Sequence, residues 1–200
     1  TKWSKFATRS NLANLAWGIT GNSGTNANTD FIGTIDDRPL VFKTNNIESG
    51  RIDAQTNNVF FGRGAGKLST GTNNSFFGHQ SGSANSAGIQ NTAIGSFSLE
   101  NNTTGDNNVA VGLSTLKNSI IGNQNTAVGT RALFSLANSG GDNTALGYEA
   151  GKDLIGVDNT LIGSGTKAFN SNGSVIFNST VIGEGAEVRA NETMSFGNGF

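Results

Sequence analysis

The sequence predicts an all-β solenoid of about nine stacked coils over residues 57–200. One short phrase supports this prediction and recurs nine times along the chain: an asparagine (Ser179 and Thr193 in the last two copies), a mostly small residue, two mostly apolar residues and a glycine. The glycines that end the phrase are spaced 14 to 20 residues apart, at Gly62, Gly78, Gly95, Gly112, Gly129, Gly147, Gly163, Gly183 and Gly197. A unit this short cannot bury an apolar face alone, so its copies must stack.

The residue directly before each repeat glycine, position −1, is always large and apolar. Stacked strands place equivalent side chains about 4.8 Å apart, so these residues can form one continuous column. We predict that this column is the core of the coils. The predicted coil core is Phe61, Phe77, Ile94, Val111, Val128, Leu146, Ile162, Ile182 and Phe196.

The residue two before each glycine, position −2, points to the opposite face of the strand. It is nevertheless apolar in all copies but the last, where it is Ser195. This second apolar face needs a cover, and the sequence contains no long amphipathic helix. We therefore expect another copy of the chain, related by an axis along the rod; the alternative is a monomer with scattered surface alanines. The predicted trimer interface is Phe60, Phe76, Ala93, Ala110, Ala127, Ala145, Leu161 and Val181.

Two further positions have predicted backbone roles. The repeat glycine ends each strand at a sharp turn, where only glycine takes a positive φ without strain. Asparagine occupies position −4 in seven copies, from Asn58 to Asn159. Stacked asparagines can pair amide to amide between coils, or they can support the turn.

No repeat is present in residues 1–56, which we predict to be a small β-rich adaptor or neck that starts or caps the rod. Residues 1–16 are weakly apolar and could form a short helix or a neck. Strands are expected at Phe31–Ile35, Pro39–Thr44 and Ile47–Asp53, because apolar runs alternate there with turn residues.

Composition excludes several classes of partner and chemistry. The net charge is −1, from 13 basic and 14 acidic residues spread along the chain. The sequence therefore has no cluster of basic residues of the kind that binds nucleic acid. No apolar run approaches the roughly 18 residues of a membrane span, and no membrane contact is expected in this segment. Cysteine is absent, which excludes disulfides and thiolate metal sites.

The sequence also predicts a protein that is not an enzyme, with no cofactor and no metal. His79 is the only histidine and lies in a turn, without a nucleophile motif nearby. The repeat spacing does not follow the six-residue period of hexapeptide acyltransferases. Asp106, Asp142 and Asp158 occur in only some coils, so they are expected to cap backbone N–H groups rather than to bind calcium.

The stretch from Val181 to Gly197 resembles the head repeat of trimeric autotransporter adhesins of the YadA type. That family repeats roughly Ser-Val-Ala-Ile-Gly-x-Gly-Ala-x-Ala about every fourteen residues. The longer coils, such as Asn91–Gly95 and Asp142–Gly151, resemble a variant found in phage tail-fibre-type repeat proteins. The resemblance covers residues 57–200 and implies a left-handed parallel β-roll with three chains packed side by side.

This resemblance implies a structural and adhesive segment of a trimeric extracellular attachment fibre, at the surface of a cell or on a virion or tail fibre. Its partners would be itself, as a homotrimer, and a cell-surface receptor such as a glycan. The alternative is a monomeric carbohydrate-binding β-solenoid. The candidate receptor contacts are the four segments that vary in length, namely Gly82–Ile89, Leu99–Gly105, Ser135–Gly141 and Phe169–Ser174.

Overall fold

The structure, a computed structural model, describes residues 23–26, 28, 31–136, 140–169 and 173–197. In that part of the chain it is all-β and contains no helix. The strands are β1 (Leu40–Thr44), β2 (Ile47–Asp53), β3 (Asn58–Phe61), β4 (Ser75–Phe77), β5 (Thr92–Ile94), β6 (Val109–Val111), β7 (Thr126–Val128), β8 (Thr144–Leu146), β9 (Gly156–Val157), β10 (Thr160–Ile162), β11 (Lys167–Ala168), β12 (Ile176–Phe177), β13 (Thr180–Ile182), β14 (Glu187–Val188) and β15 (Met194–Phe196).

The chain divides into two compact units, Thr1–Asp36 and Asp37–Phe200. In the first unit, the predicted helix or neck over residues 1–16 lies outside the described residues. The predicted strand at Phe31–Ile35 is wrong, because these residues form bends and their large side chains are exposed. Apolar residues alone do not make a strand where no neighbouring edge accepts their backbone hydrogen bonds.

The second unit is a parallel β-solenoid of about eight turns, as the repeat predicts. Its main sheet has eleven strands in the order β1-β2-β3-β4-β5-β6-β7-β8-β10-β13-β15. From β3 onward every pair is parallel and in register, so that Phe76 lies beside Ala93, and Ala93 beside Ala110. The nine repeat strands enclose eight turns, which is why the number of turns is one lower than the number of phrases.

Two forms of turn follow one another along the rod. Up to Leu154 each turn contains one strand and a bent corner. After it, two short parallel ladders form beside the main sheet, β9 with β12 and β11 with β14.

The inner and outer faces of the strands are the reverse of those predicted. Position −2 forms the core, where Phe76, Ala93 and Leu161 are fully buried. Position −1 points outward, and Ile94 and Leu146 are 44% and 48% exposed. Both positions are apolar, so alternation alone could not assign the faces. The residues of the predicted coil core therefore lie on the outward face, and the residues of the predicted trimer interface lie in the interior of the coils.

Alanine at position −2 leaves space in the interior of the coil, and a side chain from a second repeat position fills that space. Where position −2 is Ala93, Ala110 or Ala127, the residue four after the repeat glycine is a buried leucine, as at Leu99. After Ala145 it is Gly151, whose added Cβ would lie 2.8 Å from the Leu133 side chain of the previous turn. Where position −2 is Phe76, the same place holds Gly82, whose added Cβ would lie 2.4 Å from the Phe76 ring. The five turns that begin with the strands of Phe60, Phe76, Ala93, Ala110 and Ala127 thus each combine one large side chain with one small one, which keeps this part of the interior densely packed.

This reciprocal packing predicts a strongly non-additive pair of substitutions. Phe76→Ala should lower the free energy of unfolding by about 3–5 kcal/mol through an empty cavity. Gly82→Leu should lower it by about 1–3 kcal/mol or more through overpacking. The double variant should be more stable than Phe76→Ala alone, because Leu99 takes a φ of 48°, close to the 55° of Gly82, at the equivalent place. Chemical denaturation measures all three, and additive losses would contradict the packing.

The repeat glycine is required for conformation and for space. Gly95 has a φ of 130°, a region that other residues avoid. A Cβ there would lie 2.4 Å from the carbonyl oxygen of Gly112 in the next turn. The predicted backbone role of this glycine is confirmed, and the same contact recurs between successive turns.

Asparagine at position −4 forms the predicted ladder. Its side-chain oxygen accepts the backbone N–H of the asparagine one turn later, as from Asn91 to Asn74 at 3.0 Å. Its amide nitrogen donates to a backbone carbonyl in the next turn, and from Asn108 onward it also donates to the previous asparagine. The seven asparagines are at most 3% exposed. Their polar groups are satisfied inside the rod.

Candidate interaction surface

The outward face of the main sheet is an uncharged, largely apolar strip. Its first row is position −1, where Phe77, Ile94, Leu146 and Phe196 are exposed and the other members are half-buried. Its second row is position −3, which is threonine in five of the nine strands and carries no charge in any. The two rows run parallel along all nine repeat strands, because every pair is in register.

An aromatic stack extends this strip onto the hairpin formed by β1 and β2. Phe42 and Phe61 lie on either side of Gly50 in the register of β1, β2 and β3. Their ring centroids are 5.3 Å apart, and the rings of Phe61 and Phe77 follow at 5.8 Å. A Cβ on Gly50 would lie 2.8 Å from the Phe61 ring. The hairpin therefore belongs to the same face as the coils.

The inner side of β2 covers the end of the core with a charged group. Arg51 pairs in register with Phe60, the first core residue of the solenoid. Its guanidinium donates two hydrogen bonds of 2.9 Å to the Glu48 carboxylate. The hydrogen bond to Glu48 raises the pKa of Arg51, against the opposing effect of burial. Arginine can lie over an apolar end because its stem is apolar while its head is hydrated.

The coil corners differ from the apolar strip because they carry paired charges. Lys117 and Glu100 form an ion pair at 3.0 Å, and Arg131 and Glu149 form one at 2.8 Å. Lys117 also lies 4.8 Å from the centroid of the Phe97 ring. These charged pairs distinguish the corners from the uncharged strip on the outward face of the main sheet.

Two of the four predicted contact segments are structural corners of the coils. In Gly82–Ile89 and Leu99–Gly105 the backbone bonds to the next turn, for example from Ala84 to Glu100 at 2.9 Å. Each segment also buries an asparagine, Asn85 or Asn102. The other two segments lie partly outside the described residues. Receptor contact at any of the four stays a prediction.

Two of the residues considered as catalytic or metal-binding candidates, His79 and Asp106, make contacts with neighbouring turns. His79 packs edge-on against the Phe97 ring, with centroids 5.1 Å apart. Asp106 accepts the backbone N–H of Ile89 at 2.7 Å. This donor lies 17 residues earlier, in the preceding turn, whereas the predicted role was capping of a local N–H group. Within the described ranges no cluster of three or more histidines, aspartates or glutamates is arranged to hold a metal ion. No helix suited to crossing a membrane occurs in those ranges either.

Comparison with known proteins returned nothing: no family model, curated protein or solved structure matches this chain.

Proposed function

We propose that this chain is a structural and adhesive segment of a homotrimeric extracellular attachment fibre. The fibre would belong either to a bacterial adhesin or to the tail of a phage or phage-like injection device. The observation that carries the proposal is the uncharged apolar strip along the outward face of the main sheet. A protein that works alone in water has no reason to expose such a strip over the whole length of its sheet.

The dimensions of the strip favour a long, narrow partner. Nine strands at about 4.8 Å spacing give a strip roughly 38 Å long. Its rows repeat at the strand spacing, so a partner with the same repeat fits every row at once. The simplest such partner is another copy of the chain, and rotation about an axis parallel to the rod allows three copies to bury one face each. The −1 and −3 rows would then form the trimer interface, instead of the −2 row.

Such an assembly would work by mechanical stiffness and multivalency. Three equivalent outer surfaces can engage several receptors at once, so weak individual contacts add through a high effective concentration. The proposed role needs no catalytic residue and no cofactor. Low charge with many asparagine, serine and threonine side chains is compatible with the proposed extracellular location.

The mass in solution tests the proposal directly. Residues 1–200 should scatter light as three chains of 20.6 kDa each, at concentrations down to the micromolar range. A mass of one chain would contradict the trimer and favour the monomeric carbohydrate-binding solenoid. Circular dichroism on the same sample is the control, because it shows that the chain is folded in either case.

A further inference from the structure

We propose that the N-terminal end of the solenoid binds an acidic sugar, a hydroxylated ring that carries a carboxylate or a sulfate. The site is a cavity of about 580 Å³ between β2 and the first coil. This volume lies within the range of small-molecule binding sites. Among its lining residues are Thr56, Arg63, Gly64, Ala65 and Lys67.

Unpaired backbone groups line one wall of the cavity. In the second coil, the N–H of Gln80 donates to Arg63, while the carbonyls of Ser81 and Ser83 accept from Gly66 and Leu68, at 2.9–3.1 Å.

The first coil has the same groups at Gly64, Ala65 and Lys67, but no coil precedes it. In the described part of the chain, the N–H of Gly64 and the carbonyls of Ala65 and Lys67 have no partner. One donor and two acceptors in a row match sugar hydroxyls, which both donate and accept.

A threonine hydroxyl adds an enclosed polar group. The Oγ1 atom of Thr56 is shielded from solvent and makes no hydrogen bond. The backbone N–H of Thr56 donates to the Asp53 carboxylate at 3.3 Å, which fixes the residue in place. A buried hydroxyl without a partner is unfavourable. Because Thr56 lines the cavity, rotation of its side chain toward a ligand hydroxyl would form the missing hydrogen bond and recover that free energy.

The charge of the cavity selects an acidic ligand. Glu48 pairs with Arg51, and one oxygen of Asp53 accepts the backbone N–H groups of Gln55 and Thr56. The three basic and two acidic residues that line the cavity leave a net charge of +1. Arg63 and Lys67 line the cavity and form no ion pair within the described residues. A guanidinium pairs well with a carboxylate or a sulfate group, and the neighbouring ammonium adds a second positive charge.

The cavity is distinct from the face proposed for self-association. Arg51 and Asp53 contribute to it from the inner side of β2, whereas Phe42 and Phe61 belong to the outer side. The inference deepens the proposed attachment role, because it names a receptor class, but its test is separate from the test of assembly.

The test is saturation-transfer NMR on residues 1–200 with three probes: methyl β-glucuronide, glucose 6-sulfate and the neutral methyl β-glucoside. We expect a dissociation constant on the order of 1 mM for at least one acidic probe, a value typical of a single small ring. The glucoside should bind at least about tenfold more weakly, since it lacks the charge that Arg63 and Lys67 would meet. The acidic probe that binds more tightly shows whether the natural ligand carries a carboxylate or a sulfate group.

Three variants locate the site. Thr56→Val removes only the unpartnered hydroxyl, so it should weaken binding about fivefold or more while leaving the melting temperature unchanged or higher. The double variant Arg63→Gln, Lys67→Gln should abolish the preference for the acidic probes. Lys152→Gln is the matched control, because Lys152 occupies the position of Lys67 in a distant coil, five residues after a repeat glycine.

Some outcomes would overturn the inference. They are the absence of binding by any probe at 10 mM (about tenfold above the expected constant), binding of the glucoside as strong as that of both acidic probes, and full binding by the Thr56→Val and double variants. If one of these outcomes is found in a sample that has the mass of three chains, the sugar-binding site is contradicted but the proposed trimer is not. A monomer that binds the acidic probe would instead retain the site and contradict the trimer.

Discussion

Phe77→Asp is expected to leave the coils folded and to reduce the mass in solution from three chains to one. Phe77 points outward from β4 and is 38% exposed in the single chain, where a carboxylate can remain hydrated. In the proposed trimer the same carboxylate would be buried against a neighbour without a cation, which costs several kcal/mol for each of three chains. Light scattering measures the mass, and circular dichroism shows that the fold is retained.

Phe76→Asp, one residue earlier, should have the opposite effect on the fold. Phe76 is fully buried in the coil and stacks on Phe60 with ring centroids 5.1 Å apart. The substitution removes a core ring and places a carboxylate in its cavity, so we expect a loss of about 4 kcal/mol or more. Circular dichroism should therefore show a loss of β-structure, and light scattering should not show folded single chains.

The adjacent pair tests which face is inside. If Phe77→Asp unfolded the chain while Phe76→Asp dissociated folded chains, the faces would be those first predicted from the repeat. If Phe77→Asp kept the mass of three chains, the outward strip would not be the interface. Phe77→Leu is the control, because it keeps an apolar side chain at the same place and should assemble normally.

Asn108→Asp should be among the most destabilising isosteric changes in this chain. The Asn108 amide donates to the carbonyl of Gly122 at 2.7 Å and to the Asn91 side chain at 3.1 Å. A carboxylate would direct an oxygen at both acceptors and carry an unpaired charge in a site with no exposure. We expect a loss of about 3–5 kcal/mol at neutral pH, measured by chemical denaturation.

The pH dependence of Asn108→Asp identifies the introduced charge as the cause. Burial without a cation raises the pKa of the introduced carboxyl in the folded chain above the unfolded value of about 3.9. The deficit relative to the unchanged protein should therefore be smallest below about pH 4 and grow as the pH rises through the folded-state pKa. Asn101→Asp is the control, since the Asn101 side chain is exposed and bonds only to Asn118. Equal losses at pH 3 and pH 7 would contradict this explanation.

The repeat was sufficient to predict the solenoid, the turn glycine and the asparagine ladder. These features follow from residues that recur at one place in every turn and have few conformational alternatives. The faces could not be predicted in the same way, since positions −2 and −1 are both apolar. The missing signal was Leu99, Leu116 and Leu133, four residues after a repeat glycine. In these turns the large residue coincides with alanine at −2, whereas glycine at the same place coincides with Phe60 and Phe76.

The N-terminal region was predicted less completely. The two hairpin strands lie where turn residues and apolar runs place them. Their association with the coils was not evident, because it depends on Phe42 and Phe61 meeting over Gly50, a contact between residues with no common repeat. The unpaired groups of the first coil were also invisible in the sequence. They arise from the position of that coil in the stack rather than from its residues.

The direction of the hydrogen bonds between turns has a consequence for a chain that is pulled at its two ends. These hydrogen bonds are parallel to the rod, so a pulling force at one end breaks the bonds of the terminal turn first and those of the next turn afterwards. A 17-residue turn such as Gly95 to Gly112 occupies about 4.8 Å of rod but spans roughly 58 Å once extended. Each turn that opens lengthens the tether about twelvefold over its folded rise, and the turns behind it stay closed. The rod would yield stepwise under load, and could rewind when the load is removed.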